Sequence, residues 1–182
     1  MIIDKLFSVF RPGKALPITE PELALQFHQV NYFPPGKETY KRERELAILG
    51  LLTPASNPTG DGHAALLFEQ YSYEECWSIC FLPPYYLILL SDKGRKISCS
   101  ACEPLPAVWK EMVALTEELL PYTTKRDDFP MTGFGHATFY FVSGRNVFVS
   151  KKHIPLMEKE TNGFHTLHKN LLELRKLILA KM

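Results

Sequence analysis

The chain contains 182 residues, 46% hydrophobic and 23% charged, with 21 lysines and arginines against 20 aspartates and glutamates, a formal net charge of +1. This composition is typical of a soluble globular domain and excludes disordered, collagen-like and low-complexity chains. The even charge balance argues against a dedicated nucleic-acid-binding protein, because such domains are usually strongly basic. The length fits one domain, which we predict to span residues 1–182 and to have no nucleic-acid partner.

The N-terminal part, residues 1–55, is predicted to be helical. Thr19 and Glu22 form a Thr-x-x-Glu capping box, which predicts the start of a first helix. The apolar residues that would form its buried side are Leu23, Leu25, Phe27 and Val30. A second helix is predicted over residues 38–52, after the Pro-Pro-Gly break.

Residues 63–102 form a strand-rich part. β-branched, aromatic and apolar residues fill four extended segments, which turn residues mostly separate. The segments are 63–70, 75–82, 85–91 and 96–101. The clearest hairpin turn is Asp92-Lys93-Gly94-Arg95. Tight turns join antiparallel strands, because a parallel pair needs a crossover of a dozen or more residues.

The C-terminal part, residues 103–182, contains a helix, a hairpin and a final helix. The predicted elements are a helix over 106–120, a loop over 122–135, strands over 136–142 and 146–151, and a helix over 164–181. The whole pattern predicts an α+β single domain, with a mainly antiparallel sheet of about five or six strands. N-terminal, middle and C-terminal helices are expected to pack on this sheet.

The four cysteines occur in two pairs, Cys76-x3-Cys80 and Cys99-x2-Cys102, a spacing that resembles that of a structural zinc site. Residues four apart on a strand, however, lie about 13 Å from each other, too far to share one ion unless the strand bulges. We therefore predict no metal and no cofactor. A zinc-stabilised adaptor, with the four thiols converging on one ion, stays open as an alternative.

Candidate catalytic groups are scattered along the chain. His165-x2-His168 share a face of the final helix, and His136 begins a predicted strand. Cys102 and His136 form a conceivable nucleophile–base pair, with Asp127 or Asp128 as the orienting carboxylate. No nucleophile elbow, phosphate-binding loop or metalloprotease motif occurs in the sequence. We predict no catalytic residue, and a small enzyme with a Cys/His site is the alternative.

The sequence favours a cytoplasmic protein. The N-terminal apolar run is interrupted by Asp4 and Lys5, which does not fit a secretory signal. No stretch reaches the roughly 18–20 apolar residues that a membrane span requires. The cysteines are accordingly expected to be reduced thiols.

Two segments combine aromatic and acidic residues at predicted turns. The first contains Tyr71, Tyr73, Glu74 and Glu75, and the second contains Asp127, Asp128 and Phe129. Tyrosine offers a large contact area at low entropy cost, and carboxylates suit a basic partner. The charge is also uneven: residues 61–130 carry −5 and residues 131–182 carry +5.

We predict a non-enzymatic protein-binding module, an inhibitor, immunity protein or adaptor that is a monomer or homodimer. The seven residues are its candidate partner-binding surface, and a basic toxin or effector is the partner class that they favour.

Overall fold

The computed structural model describes residues 25–52, 65–82, 86–101, 107–143, 146–159 and 162–180. Its centre is one eight-stranded sheet in the order β1-β5-β4-β3-β2-β7-β8-β6, with every neighbouring pair antiparallel. The strands are β1 Leu25–Tyr32, β2 Ala65–Tyr71, β3 Cys76–Leu82, β4 Tyr86–Ser91, β5 Arg95–Ala101, β6 Thr124–Arg126, β7 His136–Ser143 and β8 Asn146–His153.

Four α-helices accompany the sheet within the described ranges. They are α1 Lys37–Leu52, α2 Ala107–Leu119, α3 Ile154–Met157 and α4 Gly163–Ala180, and a 3-10 turn, Leu120–Tyr122, follows α2. None of these helices is long and apolar enough to cross a membrane.

Helices cover both faces of the sheet, and each face has its own core. Side chains alternate between the faces along every strand. One face packs on α2 and α4, and its core includes Phe68, Trp77, Phe139, Phe164 and Leu171. The other face packs on α1, and its core includes Tyr40, Ile48, Leu67, Cys80 and Tyr140. The arrangement is therefore a sheet between two helical layers.

The predicted α+β class with one antiparallel sheet is confirmed. All six predicted strands are present, and the helices predicted over 38–52, 106–120 and 164–181 appear as α1, α2 and α4. The sheet has eight strands and not the predicted five or six. The two additional strands are β6, which lies in the predicted loop, and β1, which lies where a helix was predicted. β6 has only three residues, all exposed, so no apolar alternation marked it.

The prediction of a helix through residues 25–30 is wrong. Apolar residues at 25 and 27, and again at 30 and 32, alternate as in a strand, and a bulge between Phe27 and Gln29 shifts the pattern by one residue. Antiparallel pairing with β5 then determines that residues 25–32 form a strand. The capping-box residues Thr19 and Glu22 lie outside the described residues.

Gly94 makes the predicted hairpin turn between β4 and β5. Its φ is +84°, and a Cβ placed there would lie 2.2 Å from the backbone oxygen of Phe33. We expect Gly94→Ala to lower the free energy of unfolding by at least about 1–3 kcal/mol, because the left-handed backbone strains an L side chain and the new Cβ would also collide with the Phe33 oxygen. Gly50→Ala is the control: nothing lies within 4 Å of a Cβ there, inside α1. It should stabilise the protein by about 0.5–1 kcal/mol in urea denaturation. Equal effects of the two changes would contradict this account of the turn.

Candidate functional site

Three aromatic side chains meet where β2 ends and β7 begins. Phe134 lies edge-on to Tyr71, with ring centroids 5.5 Å apart, and edge-on to Tyr73, at 4.6 Å. Tyr73 is 93% exposed and Phe134 is 48% exposed. The Lys37 Nζ lies 4.9 Å from the centre of the Tyr71 ring, on the side of α1. We call Tyr71, Tyr73 and Phe134 the aromatic surface.

The backbone holds the turn that carries Phe134 in place. The Gly135 N–H donates to the Tyr71 carbonyl at 2.8 Å, and the Ile154 N–H donates to the Gly135 carbonyl at 3.1 Å. Gly135 has a φ of +74°, a conformation that favours glycine. The turn is therefore fixed to the end of β2 on one side and to the residue after β8 on the other.

A buried carboxylate anchors the segment just before this turn. Glu69 in β2 is fully buried, and its Oε2 accepts the Thr132 N–H at 2.7 Å. Its Oε1 accepts the Tyr40 hydroxyl at 2.8 Å. The Arg44 Nε lies 2.7 Å from Oε1, although its N–H does not point along that line, so the contact is an ion pair and not a hydrogen bond. Helix α1, β2 and the loop of residues 127–135, which leads into the Phe134 turn, thus meet at one buried charge pair.

Arg44 also binds the loop directly. Its two terminal nitrogens donate to the carbonyl oxygens of Phe129, at 3.0 Å, and Pro130, at 3.2 Å. The Tyr140 hydroxyl donates to the same Pro130 oxygen. Burial is the largest single influence and opposes the charge of Arg44, but Glu69, Tyr140 and Tyr40 together outweigh it, and the pKa of Arg44 is raised. Burial raises the pKa of Tyr140 to about 12, so its hydroxyl remains a donor.

An open groove of about 580 Å³ runs between α1 and this loop. We call it the α1 groove. Arg44, Ile48 and Phe129 line it together with Leu49 and Met131, which are 59% and 39% exposed. A smaller pocket of about 240 Å³ shares Met131 with the groove and reaches Tyr71. The groove therefore continues toward the aromatic surface.

The first predicted surface segment divides between the two sides of the sheet. Tyr71 and Tyr73 belong to the aromatic surface, and Glu74 is exposed beside them. Glu75 is half-buried: it forms an ion pair with Arg175 and accepts the Ser91 hydroxyl at 2.9 Å. Arg175 belongs to α4, on the opposite side of the sheet from α1. The Glu75 carboxylate is thus already engaged within the domain.

The second predicted segment lies at the start of the anchored loop. Phe129 packs on Tyr140, with ring centroids 5.5 Å apart, and lines the α1 groove. Asp127 is exposed. Asp128 is also exposed, and its Oδ1 lies 2.9 Å from the Nε of Arg126. Phe129 is the member of this segment that the structure places in the groove.

Sequence patterns did not predict Phe134, Met131 or the Arg44–Glu69 pair as part of this site. An aromatic residue between two glycines, as in Gly133-Phe134-Gly135, was an available signal for an exposed ring in a tight turn. Glu69 follows four apolar residues in its strand, which signals a buried carboxylate in need of a cation. Neither signal shows which residues contact Phe134 or which cation pairs with Glu69.

The described cysteines do not converge. Cys76 and Cys80 belong to the core beneath α1, whereas Cys99 belongs to the core beneath α2 and α4. Because the sheet lies between them, these three thiols cannot bind one zinc ion. Burial raises the pKa of each to about 12, so they are neutral thiols. Cys102 lies outside the described residues, among which no group of three or more metal-ligating side chains occurs.

The histidines of α4 pack against protein groups. His168 is buried, with 1% of the residue exposed. Its Nε2 lies 2.8 Å from the Gln70 side-chain oxygen, and its ring packs on Phe68. The His165 Nδ1 lies 3.0 Å from the Met157 carbonyl. His136 lies apart from this pair, at the start of β7.

Stability should depend on pH through His168. Burial lowers its pKa from 6.5 to about 4, so the folded protein holds the neutral ring. Between these values the unfolded chain binds the proton first, and the free energy of unfolding falls as the pH is lowered from 7 to 4. The loss from this residue is on the order of 3 kcal/mol. Urea denaturation at several pH values should show a shallower dependence for His168→Gln. The same change of unfolding free energy with pH in His168→Gln and in the wild type would contradict a neutral, buried His168.

Comparisons of this chain with protein-family models, curated proteins and solved structures find no match.

Proposed function

We propose that this protein is a protein-binding module that contacts its partner through the aromatic surface and the adjoining α1 groove. The observation that carries the proposal is Tyr73, 93% exposed and edge-on to the half-exposed Phe134. Tyrosine and other aromatic residues are enriched among the residues that dominate binding energy at protein interfaces. Leu49 and Met131 extend the exposed apolar area along the groove.

The rigidity of the surface supports this proposal. Gly135, which follows Phe134, is hydrogen-bonded to Tyr71 at the end of β2 and to Ile154 just after β8, and the preceding loop is fixed to Glu69 and Arg44. A surface that is already ordered loses little conformational entropy on binding. The arrangement therefore suits a partner that inserts apolar side chains between α1 and the loop.

The charges nearby suggest the finer function. Glu74 and Asp127 are exposed carboxylates on the two segments that flank this region. Basic side chains of a partner would be attracted to them, and electrostatic attraction of this kind raises association rates. We accordingly propose a non-enzymatic, cytoplasmic inhibitor, immunity protein or adaptor that binds a basic toxin or effector.

The test is the affinity of surface variants for the partner. The partner is first captured with the tagged chain from cells of its source and identified by mass spectrometry. We then expect the double variant Tyr73→Ala, Phe134→Ala to weaken binding at least about 30-fold, the effect of losing a dominant contact. Calorimetric titration provides the dissociation constants.

The matched control is Tyr32→Ala. Tyr32 is 72% exposed and lies on the edge strand β1, at the far end of the sheet from β7 and β8. This variant should bind as the wild type does. Equal affinity of the double variant and the wild type, or equal losses in both variants, would overturn the proposed surface.

A further inference from the structure

A second cluster, of two histidines and a lysine, lies beside the aromatic surface. His136 at the start of β7 pairs in register with His153 at the end of β8, and their ring centroids are 5.3 Å apart. Lys151 lies two residues before His153 and therefore on the same face of the strand. We call His136, Lys151 and His153 the imidazole–lysine cluster.

The Gly133-Phe134-Gly135 turn leaves space for these three side chains. A Cβ on Gly133 would lie 3.3 Å from the Lys151 Nζ and 3.8 Å from the His136 Nδ1. A Cβ on Gly135 would lie 3.9 Å from the His153 Nε2. All three side chains are therefore directed at one glycine-lined turn.

One hydrogen bond orients the His136 ring. Its Nδ1 lies 2.8 Å from the Phe134 carbonyl, which accepts hydrogen bonds but cannot donate them, so Nδ1 carries the hydrogen. The Nε2 is then the nitrogen left for a ligand. An anion favours the imidazolium form, in which this nitrogen also donates.

The cluster has no counter-charge of its own within the described ranges. No ion pair there joins Lys151, His136 or His153 to a carboxylate. In register, Lys151 pairs with Thr138, which pairs in turn with Glu69. Glu69 is already bound by Arg44, Tyr40 and Thr132. The cluster therefore offers one lysine ammonium and two imidazole rings to an external anion, with no carboxylate of the described residues paired to them.

We propose that the imidazole–lysine cluster binds the phosphoryl group of a phosphate monoester. Such a group offers three acceptor oxygens and close to two negative charges, which matches three separate donors better than a flat carboxylate does. Tyr71 pairs in register with His136, and the Phe134 carbonyl lies 2.8 Å from the His136 Nδ1, so both residues lie beside the cluster and their rings would pack on an aromatic ester group. This inference shares Phe134 and Tyr71 with the aromatic surface, but the phosphoryl contacts come from His136, Lys151 and His153 and do not depend on the proposed function.

The test is a titration with phenyl phosphate, followed by the NMR signals of the histidine rings. We expect saturable shifts of the His136 and His153 signals. Lys151→Gln should weaken binding about tenfold, because one charge-assisted hydrogen bond is lost. Lys152→Gln is the control, since it removes the same charge from the opposite face of β8, where the Lys152 Nζ lies over the Phe164 ring. It should change affinity less than about twofold.

Two results would overturn the site. One is the absence of histidine shifts at millimolar phenyl phosphate, and the other is an equal loss of affinity in both lysine variants, which indicates unspecific charge attraction. Both variants alter side chains at the surface, and their backbone spectra verify that they fold.

Titrations with inorganic phosphate and with a phosphotyrosine peptide distinguish whether the phosphoryl group belongs to a small molecule or to a protein. Tighter binding of phenyl phosphate than of the peptide supports a small phosphorylated molecule, whereas binding of inorganic phosphate as tight as that of phenyl phosphate would overturn recognition of a monoester. Tighter binding of the peptide than of phenyl phosphate supports a phosphorylated residue of a protein.

Discussion

Replacing Glu69 with alanine is expected to lower the free energy of unfolding by about 3–5 kcal/mol, the cost of leaving one charge of a buried pair without its partner. Arg44 is 2% exposed, so its guanidinium would remain in the interior without an anion, with two loop carbonyls and the Tyr140 ring as neighbours. Tyr40 and the Thr132 N–H would lose their acceptor at the same time. Urea denaturation, followed by tryptophan fluorescence, measures the change.

The matched control is a second ion pair that is partly exposed. The Lys96 Nζ lies 2.9 Å from the Glu43 carboxylate, with side chains 24% and 21% exposed. Because solvent screens this pair, Glu43→Ala should cost only about 0–1 kcal/mol. A loss for Glu69→Ala no larger than that of the control would contradict the central position of Glu69 in the fold.

Phe68→Ala is expected to cost about 3–5 kcal/mol as well, because a large side chain is removed from a closed core. Phe68 is fully buried, and its ring centroid lies 5.1 Å from that of Trp77 and 5.0 Å from that of Phe139. The His168 ring packs on it from α4. Thermal and urea denaturation should both show the loss, with the slope of the urea transition unchanged.

Phe134→Ala provides the comparison for Phe68→Ala. The same side chain is removed, but Phe134 is 48% exposed and its contacts are with Tyr71 and Tyr73 at the surface. We expect a change within about 0.5 kcal/mol, as for most surface positions. A loss as large as that of Phe68→Ala would show that Phe134 stabilises the fold, and it would remove the main support for the aromatic surface as a binding site.

Local sequence patterns were sufficient for most elements of this fold. The strands β2 to β5 have short apolar runs between turn residues, and Gly94 marks a hairpin that the structure confirms. β1 was missed because its bulge disrupts the alternation, and because pairing with β5 outweighs the capping signal that precedes it. The pairing of β2 with β7 joins distant segments, and no local pattern encodes such a pairing.

The candidate site was predictable only in part, for the same reason. Tyr71 and Tyr73 stand out as aromatic residues at a turn, but Phe134 comes beside them only through the β2–β7 pairing. Glu75 resembles Glu74 in the sequence, yet it pairs with Arg175 of α4. Arg175 lies far along the chain from Glu75, so no local pattern encodes this pair.

The most direct test of the binding surface is photocrosslinking in cells of the protein's source. A photoreactive phenylalanine analogue replaces Tyr73 in one variant and Tyr32 in the control, both at exposed positions. We expect the variant with the analogue at position 73 to form one discrete adduct with a second protein. The variant with the analogue at position 32 should form no adduct of that mass. No adduct at position 73, or the same adducts at both positions, would contradict a partner-binding role for the aromatic surface.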